Sequence, residues 1–316
     1  MDTTDINQLI AAVKDDVIAW RRHFHKYPEL SYQETKTSQF VYDKLCALGN
    51  LEVSRPTPTS VMARLTGAKP GKTLALRADM DALPIQESSE CEFASCHDGI
   101  MHACGHDTHT AMLLGTATVL SRLQSQIQGE VRFLFQHAEE MQPGGSREMM
   151  AAGVLQDVDQ IMGLHVMSHI PVGQVGIVYG PAMAAADTFD LIITGKGGHA
   201  SQPHLVIDPI AIAAQVVTNL QHVVARNADP QEKLVVAVTT IHGGTAYNII
   251  PDTVTIQGSV RSFDKKTRAM AAEMIERIGS GIATTHGATC KVIYNFGYDS
   301  VTNDLAMTKV VEETVV

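Results

Sequence analysis

The feature that most constrains the fold of this chain is an alternation of helix-like and strand-like segments along residues 6–178. Residues Ile6–His25 and residues 106–123 carry apolar side chains at the spacing of one helix face. Short apolar runs typical of β-strands separate and follow them, at Val61–Leu65, Thr73–Arg77, Val131–Gln136, Ile161–Val166 and Gln174–Val178. This alternation predicts an α/β sheet with helices on both faces. In such sheets the reacting groups lie where loops leave the C-terminal ends of the strands.

A further helix is predicted early in the chain from its capping residues. Ser31 followed by Glu34 matches the capping-box pattern that opens a helix. The helix is expected to run to about Leu48 and to end at Gly49-Asn50.

A different order of elements begins after Gly180-Pro181. It reads strand, helix, strand, strand, helix, strand, at Thr188–Thr194, Asp208–Val224, Leu234–His242, Thr253–Arg261, Lys265–Thr284 and Ala288–Tyr294. This βαββαβ order predicts a ferredoxin-like sandwich, whose edge strands stay free to pair with another chain.

These two patterns predict the domain organisation. Residues Leu305–Val316 look like the start of an amphipathic helix, by which the chain returns to its first domain. We therefore expect a mixed-sheet α/β catalytic domain formed by residues 1–185 and 297–316. Residues 186–296 are expected to form an inserted ferredoxin-like lid and dimerisation domain.

Composition and charge narrow the class of protein. Hydrophobic residues make up 45% and charged residues 18% of the 316 residues, which suits two globular domains. The net charge of -10 argues against nucleic acid or acidic membranes as partners, because both reward a basic surface. No apolar stretch reaches the roughly 18 residues of a membrane span, and residues 1–16 lack the pattern of a secretion signal. Five scattered cysteines do not indicate a disulfide framework, so we expect a cytoplasmic protein.

The densest site signal lies in Met101–His109, where three histidines and a cysteine fall within eight residues. Thiolate and imidazole both bind divalent transition metals. Gly105 permits a tight turn, so that Cys104 and His106 can point at one centre. The alternative is that these residues serve only packing and the start of a helix.

A second signal is the pair Glu139-Glu140 at the end of an apolar strand. Two carboxylates beside a buried strand are costly unless compensated. A metal ligand next to a group that takes a proton from water would compensate both. The alternative is a solvated acidic turn.

Two weaker signals follow other strands. His165 ends an apolar strand, and we consider it a candidate ligand only because other candidate ligands exist elsewhere in the sequence. Asp79 follows the strand at Thr73–Arg77 and could orient a ligand histidine, although a structural ion pair with Arg77 explains it equally well.

The second unit has candidates of its own. His199 lies in a glycine-rich turn, Asn248 precedes a short apolar run, and Arg261 closes a strand. Arginine suits a bidentate grip on a carboxylate, and Asn or His can donate to a developing oxyanion. The alternative is turn chemistry and ordinary surface positions.

Together these motifs resemble the aminoacylase/carboxypeptidase metallohydrolases. The branch in question includes hippurate hydrolases, N-acetyl-amino-acid and N-acetyl-diaminopimelate deacetylases and auxin–amino acid conjugate hydrolases. The matching stretches run in the family's order over nearly the whole chain, at His23–Leu30, Arg77–Pro84, Met101–His109, Phe135–Glu140, Gly163–Val166, Gly197–Ser201, Asn248–Asp252 and Arg261–Phe263. The resemblance implies a metal-dependent hydrolase that cleaves N-acyl-amino-acid or peptide amide bonds next to a free carboxylate.

The resemblance also implies the roles of the catalytic residues. Cys104 resembles the ligand that bridges two divalent ions, with His106 and His165 on one ion and Glu140 on the other. Glu139 resembles the general base that deprotonates the bridging water. Mn, Zn, Co and Ni all tolerate Cys, His and Glu ligands, so the sequence does not select among them.

For the remaining residues the resemblance implies supporting roles. Asp79 resembles a carboxylate that orients a ligand. His199 resembles the histidine that reaches the active site of a partner subunit, which implies a homodimer formed through the lid domain. Asn248 and Arg261 resemble groups that hold the carboxylate of a small N-acyl amino acid or peptide.

One departure from the family pattern leads to a further expectation. The family has another histidine ligand after a Gly-x-Glu-Asp-Phe-type stretch, and these 316 residues contain no such stretch. We therefore expect a truncated form in which the ion of Cys104 and Glu140 is weakly held, with little or no activity. Two alternatives stay open, an inactive pseudo-enzyme or dimerisation module, and a cysteine-nucleophile hydrolase in which Cys104 attacks with His106 or His109 as base.

Overall fold

The computed structural model describes the backbone of residues 3–315 and the side chains of residues 6–315. The chain divides into two compact units, Met1–His169 and Ile170–Val316. The predicted domain boundaries at residues 185/186 and 296/297 differ from this division and stay a prediction. No helix within the described residues is long and apolar enough to cross a membrane.

The first unit is a mixed sheet with helices on both faces, as predicted. Its helices and strands are α1 (Thr3–Lys26), α2 (Thr35–Cys46), β1 (Glu52–Ser54), β2 (Val61–Thr66), β3 (Lys69–Asp79), α3 (His106–Arg122), β4 (Gln128–Gln136), α4 (Gly145–Ala151) and β5 (Gln160–Gly163). The strand order is β1-β2-β4-β3-β5. Strands β4, β3 and β5 run parallel, whereas β1 and β2 are antiparallel to their neighbours.

Alternation along β4 explains why both faces of this sheet are covered. Phe133 and Phe135 point into a core shared with residues of α1, α2 and α3, and both are fully buried. Leu134 between them points to the opposite face and packs with Met149 of α4 and with Val154. A strand that is apolar at consecutive positions therefore indicates burial on two sides.

The parallel strands determine where the candidate cysteine, histidine and glutamate residues lie. In the sheet register Asp79 of β3 lies beside Gln136 of β4, and Arg77 lies beside Gly163 of β5. The C-terminal ends of three adjacent strands therefore meet at one edge. The loops that leave this edge carry the cysteine, histidine and glutamate motifs.

The second unit contains a four-stranded antiparallel sheet in the predicted element order. Its elements are β6 (Gly180–Met183), β7 (Ala185–Thr194), β8 (Gly198–His199), α5 (Pro209–His222), β9 (Leu234–His242), β10 (Ile249–Ile250), β11 (Thr253–Ser262), α6 (Lys265–Thr285), β12 (Thr289–Asn295), β13 (Val301–Asn303) and α7 (Leu305–Val315). The sheet order is β12-β7-β11-β9. Helices α5 and α6 bury Ile212, Val216 and Ile275 against Leu191 and Ile256 of the sheet.

The end of the chain joins the second unit through strand pairing. Strand β13 pairs antiparallel with β6. Both strands fall within the residues predicted to form the catalytic domain, 1–185 and 297–316. Arg268 and Asp187 form a buried ion pair (2.6 Å). Asp187 also accepts a hydrogen bond from the backbone N–H of Gly297, so the ion pair lies close to the point where the chain leaves β12.

Two local predictions are wrong. The segment Gln174–Val178 forms no strand, since no neighbouring segment of the described residues pairs with it, and Val175 and Val178 are exposed. The capping box at Ser31 and Glu34 is not formed either, because α2 begins only at Thr35. Ser31 Oγ instead donates to Asp81 Oδ2 (2.6 Å), and the carboxylate of Glu34 is buried against the backbone of Ala138.

Candidate metal centre

A glycine turn brings Cys104 and His106 together at the start of α3. Gly105 has a φ of 95°, which L side chains rarely adopt, and a Cβ there would lie 2.3 Å from Val166 Cγ2. Helix α3 begins at the next residue, His106. The turn therefore packs tightly against the loop after β5 that carries His165.

Cys104, His106 and His165 form one cluster of donor atoms. Their ligand atoms lie within 4.8 Å of one another, and Cys104 Sγ is 3.3 Å from His165 Nε2. His165 Nδ1 donates to the carbonyl of Val166 (2.6 Å), which leaves Nε2 turned toward the thiol. The neighbouring rings of His106 and His165 lower the pKa of the Cys104 thiol and favour the thiolate that binds metal.

The ring of His106 is oriented by Asp81. His106 Nδ1 donates to the backbone carbonyl (2.9 Å) and to Oδ1 (3.2 Å) of Asp81, so Nε2 points away from it. His106 Nε2 is buried without a hydrogen-bond partner among the described residues. It faces Asp79 Oδ2 at 3.6 Å and Glu140 Oε1 at 3.8 Å.

The carboxylates of Asp79 and Glu140 favour a positive charge beside His106. Burial lowers the pKa of His106, but the neighbouring Asp81 carboxylate and Cys104 thiol outweigh burial and raise the pKa to about 11. A buried ring nitrogen that faces two carboxylates and a thiol, without a partner of its own, is the arrangement expected around a divalent ion. The donor set therefore fits a transition metal.

The two glutamates reach the same centre. Ligand atoms of His106, Glu139 and Glu140 lie within 4.8 Å of one another. The backbone N–H of Glu140 donates to Asp81 Oδ2 (2.9 Å), so Asp81 holds both His106 and this loop. Burial, with Glu140 and Asp79 nearby, raises the pKa of the Glu139 carboxyl above its ordinary value. A raised pKa is the property required of a general base that works near neutral pH.

Asp79 was expected to orient a ligand histidine, but the histidine it holds is His109, which is not one of the proposed ligands. Its Oδ1 accepts from His109 Nδ1 (2.6 Å), and its Oδ2 pairs with Arg77 Nη1 (2.8 Å). Burial alone would raise the pKa of Asp79, but His109 and Arg77 hold it well below its usual range. His109 Nε2 in turn accepts from the backbone N–H of Val166 (2.9 Å), so Asp79 supports the loop of His165 through His109.

The residues that support the candidate site were harder to find in the sequence than its candidate ligands. Nothing in the sequence indicates a role for Asp81, except that it lies two residues after Asp79. His102, within the same dense cluster, belongs to no group of donor atoms among the described residues, and burial lowers its pKa to about 4.

The candidates of the second unit are only partly brought together. Strands β8 and β10 pair His199 with Ile249, and the backbone of Ala200 donates to Asn248 (3.0 Å), so His199 and Asn248 are neighbours. Arg261 lies near the other end of β11 from Thr253, about 26 Å along the strand at about 3.3 Å per residue. Within this unit Arg261 is therefore separate from the other two.

Comparisons with known proteins identify the family of this chain. Residues 75–316 match the model of peptidase family M20/M25/M40. The chain belongs to this family. The resemblance drawn from the motifs is thereby confirmed.

Relatives in the M20 family are similar over most of the chain. The N-acyl-L-amino acid amidohydrolase of Geobacillus stearothermophilus is 57% identical over 303 residues, which span 96% of this chain and 82% of that protein. The thermostable carboxypeptidase 1 of Saccharolobus solfataricus is 47% identical over 285 residues, 90% of this chain and 72% of that protein. The alternative of an inactive pseudo-enzyme or dimerisation module is wrong, because the similarity to a named amidohydrolase includes both units.

A solved M20 structure supports the metal centre. The YXEP protein of Bacillus subtilis, described as a dinuclear metal-binding peptidase, matches with a TM-score of 0.82 at 38% identity, over 96% of this chain and 80% of that one. The mixed α/β fold and the use of divalent metal are therefore properties of this chain as an M20 member. It is a metal-dependent amide hydrolase.

Proposed function

We propose that the protein hydrolyses the amide bond of N-acyl amino acids or peptides next to a free carboxylate. The observation that carries the proposal is the convergence of Cys104, His106 and His165 with Glu139 and Glu140 at the C-terminal ends of three parallel strands. Cys104 would bridge two divalent ions, with His106 and His165 holding one and Glu140 the other. Bound there, the ions would lower the pKa of water toward about 7 and polarise the scissile carbonyl.

The protein's own residues perform the proton transfer. Glu139 accepts the proton of the attacking water, because its raised pKa and its place beside Glu140 and His106 suit a base at this position. The same carboxyl then delivers the proton to the leaving nitrogen. Asp81 keeps His106 and the Glu139-Glu140 loop in register during this step, since it hydrogen-bonds to both.

The two ions are expected to differ in affinity. Among the described residues, Cys104, His106 and His165 form one group of three donor atoms, whereas Glu140 and the shared Cys104 are the two donors proposed for the other ion. Titration of the metal-free protein with Mn²⁺, Zn²⁺, Co²⁺ or Ni²⁺ should therefore resolve one tight and one weaker ion per chain. Two equally tight ions would contradict this expectation.

The second unit is proposed to be a ferredoxin-like lid through which two chains form a homodimer. Its βαββαβ order and the strand order β12-β7-β11-β9 support the first part. His199 is proposed to reach the active site of the partner subunit and to stabilise the oxyanion there. Asn248 and Arg261 are proposed to hold the substrate carboxylate. Since Asn248 and Arg261 lie far apart within one unit, they would act in different subunits' sites or on different parts of the substrate.

A chelator experiment tests the proposed function against the cysteine-nucleophile alternative. The lowered pKa of Cys104 and its contact with His165 are also what a nucleophilic cysteine would need. Hydrolysis of N-acetyl and N-benzoyl amino acids should be lost after treatment with a chelator and restored by divalent ions. Activity that survives complete metal removal would favour the cysteine nucleophile and contradict the proposal.

A further inference from the structure

His25 belongs to a matching sequence stretch that the hydrolytic centre does not use. Its side chain is buried at the end of α1, with 6% of the residue exposed. His25 Nδ1 is 2.8 Å from Asp107 Oδ2, and Asp107 also pairs with Arg21 Nε at 2.8 Å. The second ring nitrogen, Nε2, is thereby directed to the opposite side, where Glu87 Oε1 lies at 3.1 Å.

Cys91 supplies a third donor at the same place. The ligand atoms of His25, Glu87 and Cys91 lie within 4.8 Å of one another. This group shares no residue with the groups that contain Cys104, His106 or Glu140. A nitrogen, a carboxylate oxygen and a thiol sulfur form a donor set that suits Zn²⁺, with a fourth position left to water.

The surrounding contacts orient these donors. An Asp107 carboxylate on the far nitrogen of His25 is the carboxylate–histidine arrangement found behind metal ligands. Glu87 is fixed by the backbone N–H of Ser95 (2.6 Å on Oε2) and by the hydroxyl of Ser89. The ring of Phe93 packs edge-on against His25 with the centroids 5.6 Å apart. A hydrogen bond between His25 and Glu87 would by itself explain why those two side chains lie together. It does not explain why the Cys91 thiol lies beside them.

We propose that His25, Glu87 and Cys91 bind one divalent transition-metal ion, of the Zn²⁺ class, separate from the hydrolytic centre. The site would fasten residues 84–100, a segment without helix or strand that is closed by the bridge between Leu83 and Met101, to the end of α1. Asp107 acts here as a positioning residue for His25.

Cadmium is a suitable probe, because it binds thiolates strongly and the five cysteines can be followed one by one. The metal-loaded enzyme is incubated with Cd²⁺, desalted and analysed for bound cadmium, with Cys91→Ser and Cys96→Ser compared with wild type. Cys96 is the matched control, since it lies in the same segment, is exposed and belongs to no donor group among the described residues. We expect wild type and C96S to hold one Cd²⁺ more than C91S. In a chelator competition C91S should bind this ion at least about 10-fold more weakly.

A second measurement needs no variant. Alkylation of wild type, read at each cysteine by mass spectrometry, should be slowed by Cd²⁺ at Cys91 and unchanged at Cys96. Equal cadmium content in wild type and C91S, or equal alkylation of Cys91 with and without Cd²⁺, would overturn the proposal. Neither result depends on whether the hydrolytic function is correct.

Discussion

Ala138 takes a left-handed backbone conformation, with a φ of 46°, directly before the two glutamates of the candidate site. This conformation costs an L-residue about 1 kcal/mol, so neighbouring contacts must hold it. The N–H of Ala138 donates to Glu34 Oε1 (2.7 Å), and its carbonyl accepts from the backbone N–H of Gly145 (2.9 Å). Glu34 thereby fixes the direction in which Glu139 leaves the strand.

Replacement of Glu34 should therefore affect turnover more than binding. In Glu34→Ala we expect kcat to fall about 10-fold, because a small misplacement of a catalytic group is costly, with KM changed less than about twofold. Glu34→Gln should keep most of the activity, since an amide oxygen can accept the same hydrogen bonds. Steady-state kinetics with metal content and circular dichroism as controls measure this. Full kcat in E34A, or equal losses in both variants, would contradict a positioning role.

The pH dependence of turnover follows from the environment of Glu139. A base must be ionised to work, and burial beside Glu140 and Asp79 raises its pKa. As the pH falls, Glu139 is protonated earlier than an ordinary glutamate, so activity is lost on the acid side. The acid limb of kcat/KM should thus lie above the ordinary glutamate pKa of about 4.3. An acid limb at or below that value would contradict the assignment.

At the scale of elements, the turn before α3 packs so closely against the loop of His165 that it leaves no room for a side chain. In Gly105→Ala the new methyl group meets Val166 Cγ2 and displaces the loop of His165, in addition to the backbone strain. We expect metal affinity and turnover to fall at least about 10-fold. Gly49→Ala is the matched control, because Gly49 has a similar φ of 78° with open space around its Cβ.

The same contact offers a rescue test. Removing Val166 Cγ2 in the double variant Gly105→Ala/Val166→Ala should restore part of the metal affinity that G105A loses. Metal titration and turnover of the three variants provide the measurement. If G49A loses as much as G105A, or if V166A gives no rescue, strain alone rather than the contact with the His165 loop is responsible.

Most elements could be predicted from periodicity, and the exceptions have physical causes. Strand β9 was expected at Leu234–His242 and lies there, because its neighbour β11 pairs along it. Residues Gln174–Val178 are also apolar, but no strand among residues 3–315 pairs with them, and local sequence does not reveal this. Glu34 matches a capping residue, yet its carboxylate accepts a hydrogen bond from a residue 104 positions away. Long-range contacts of this kind cannot be read from one segment.

In the candidate site, too, some residues can be found from local sequence and others depend on long-range contacts. Cys104, His106 and the two glutamates are found from their residue types, because few other arrangements crowd such donors together. Asp81 and the link from Asp79 through His109 depend on which strand ends meet, and this is fixed only by the sheet register. Candidate ligands can therefore be proposed from sequence, whereas the contacts that orient them require the fold.

At the scale of the whole molecule, the proposed homodimer requires a surface on the second unit. Strand β9 forms one edge of its sheet and exposes Val235 (54%) and Ile241 (51%). An edge strand with exposed apolar side chains is suited to pair with a second copy. We expect light scattering to give twice the 34.1 kDa of one chain. Ile241→Lys should shift the protein toward monomer, and Ile18→Lys on the first unit should not.

Glu139 is proposed to be the base of this metal-dependent amide hydrolase, and other residues are proposed to hold its ions. The most direct measurement is the turnover of Glu139→Gln together with its metal content, determined on the same sample as wild type. We expect the metal content to be kept and kcat to fall about 10³-fold, because proton transfer is lost while the ligands remain. A variant that binds metal normally and retains substantial turnover would contradict the account.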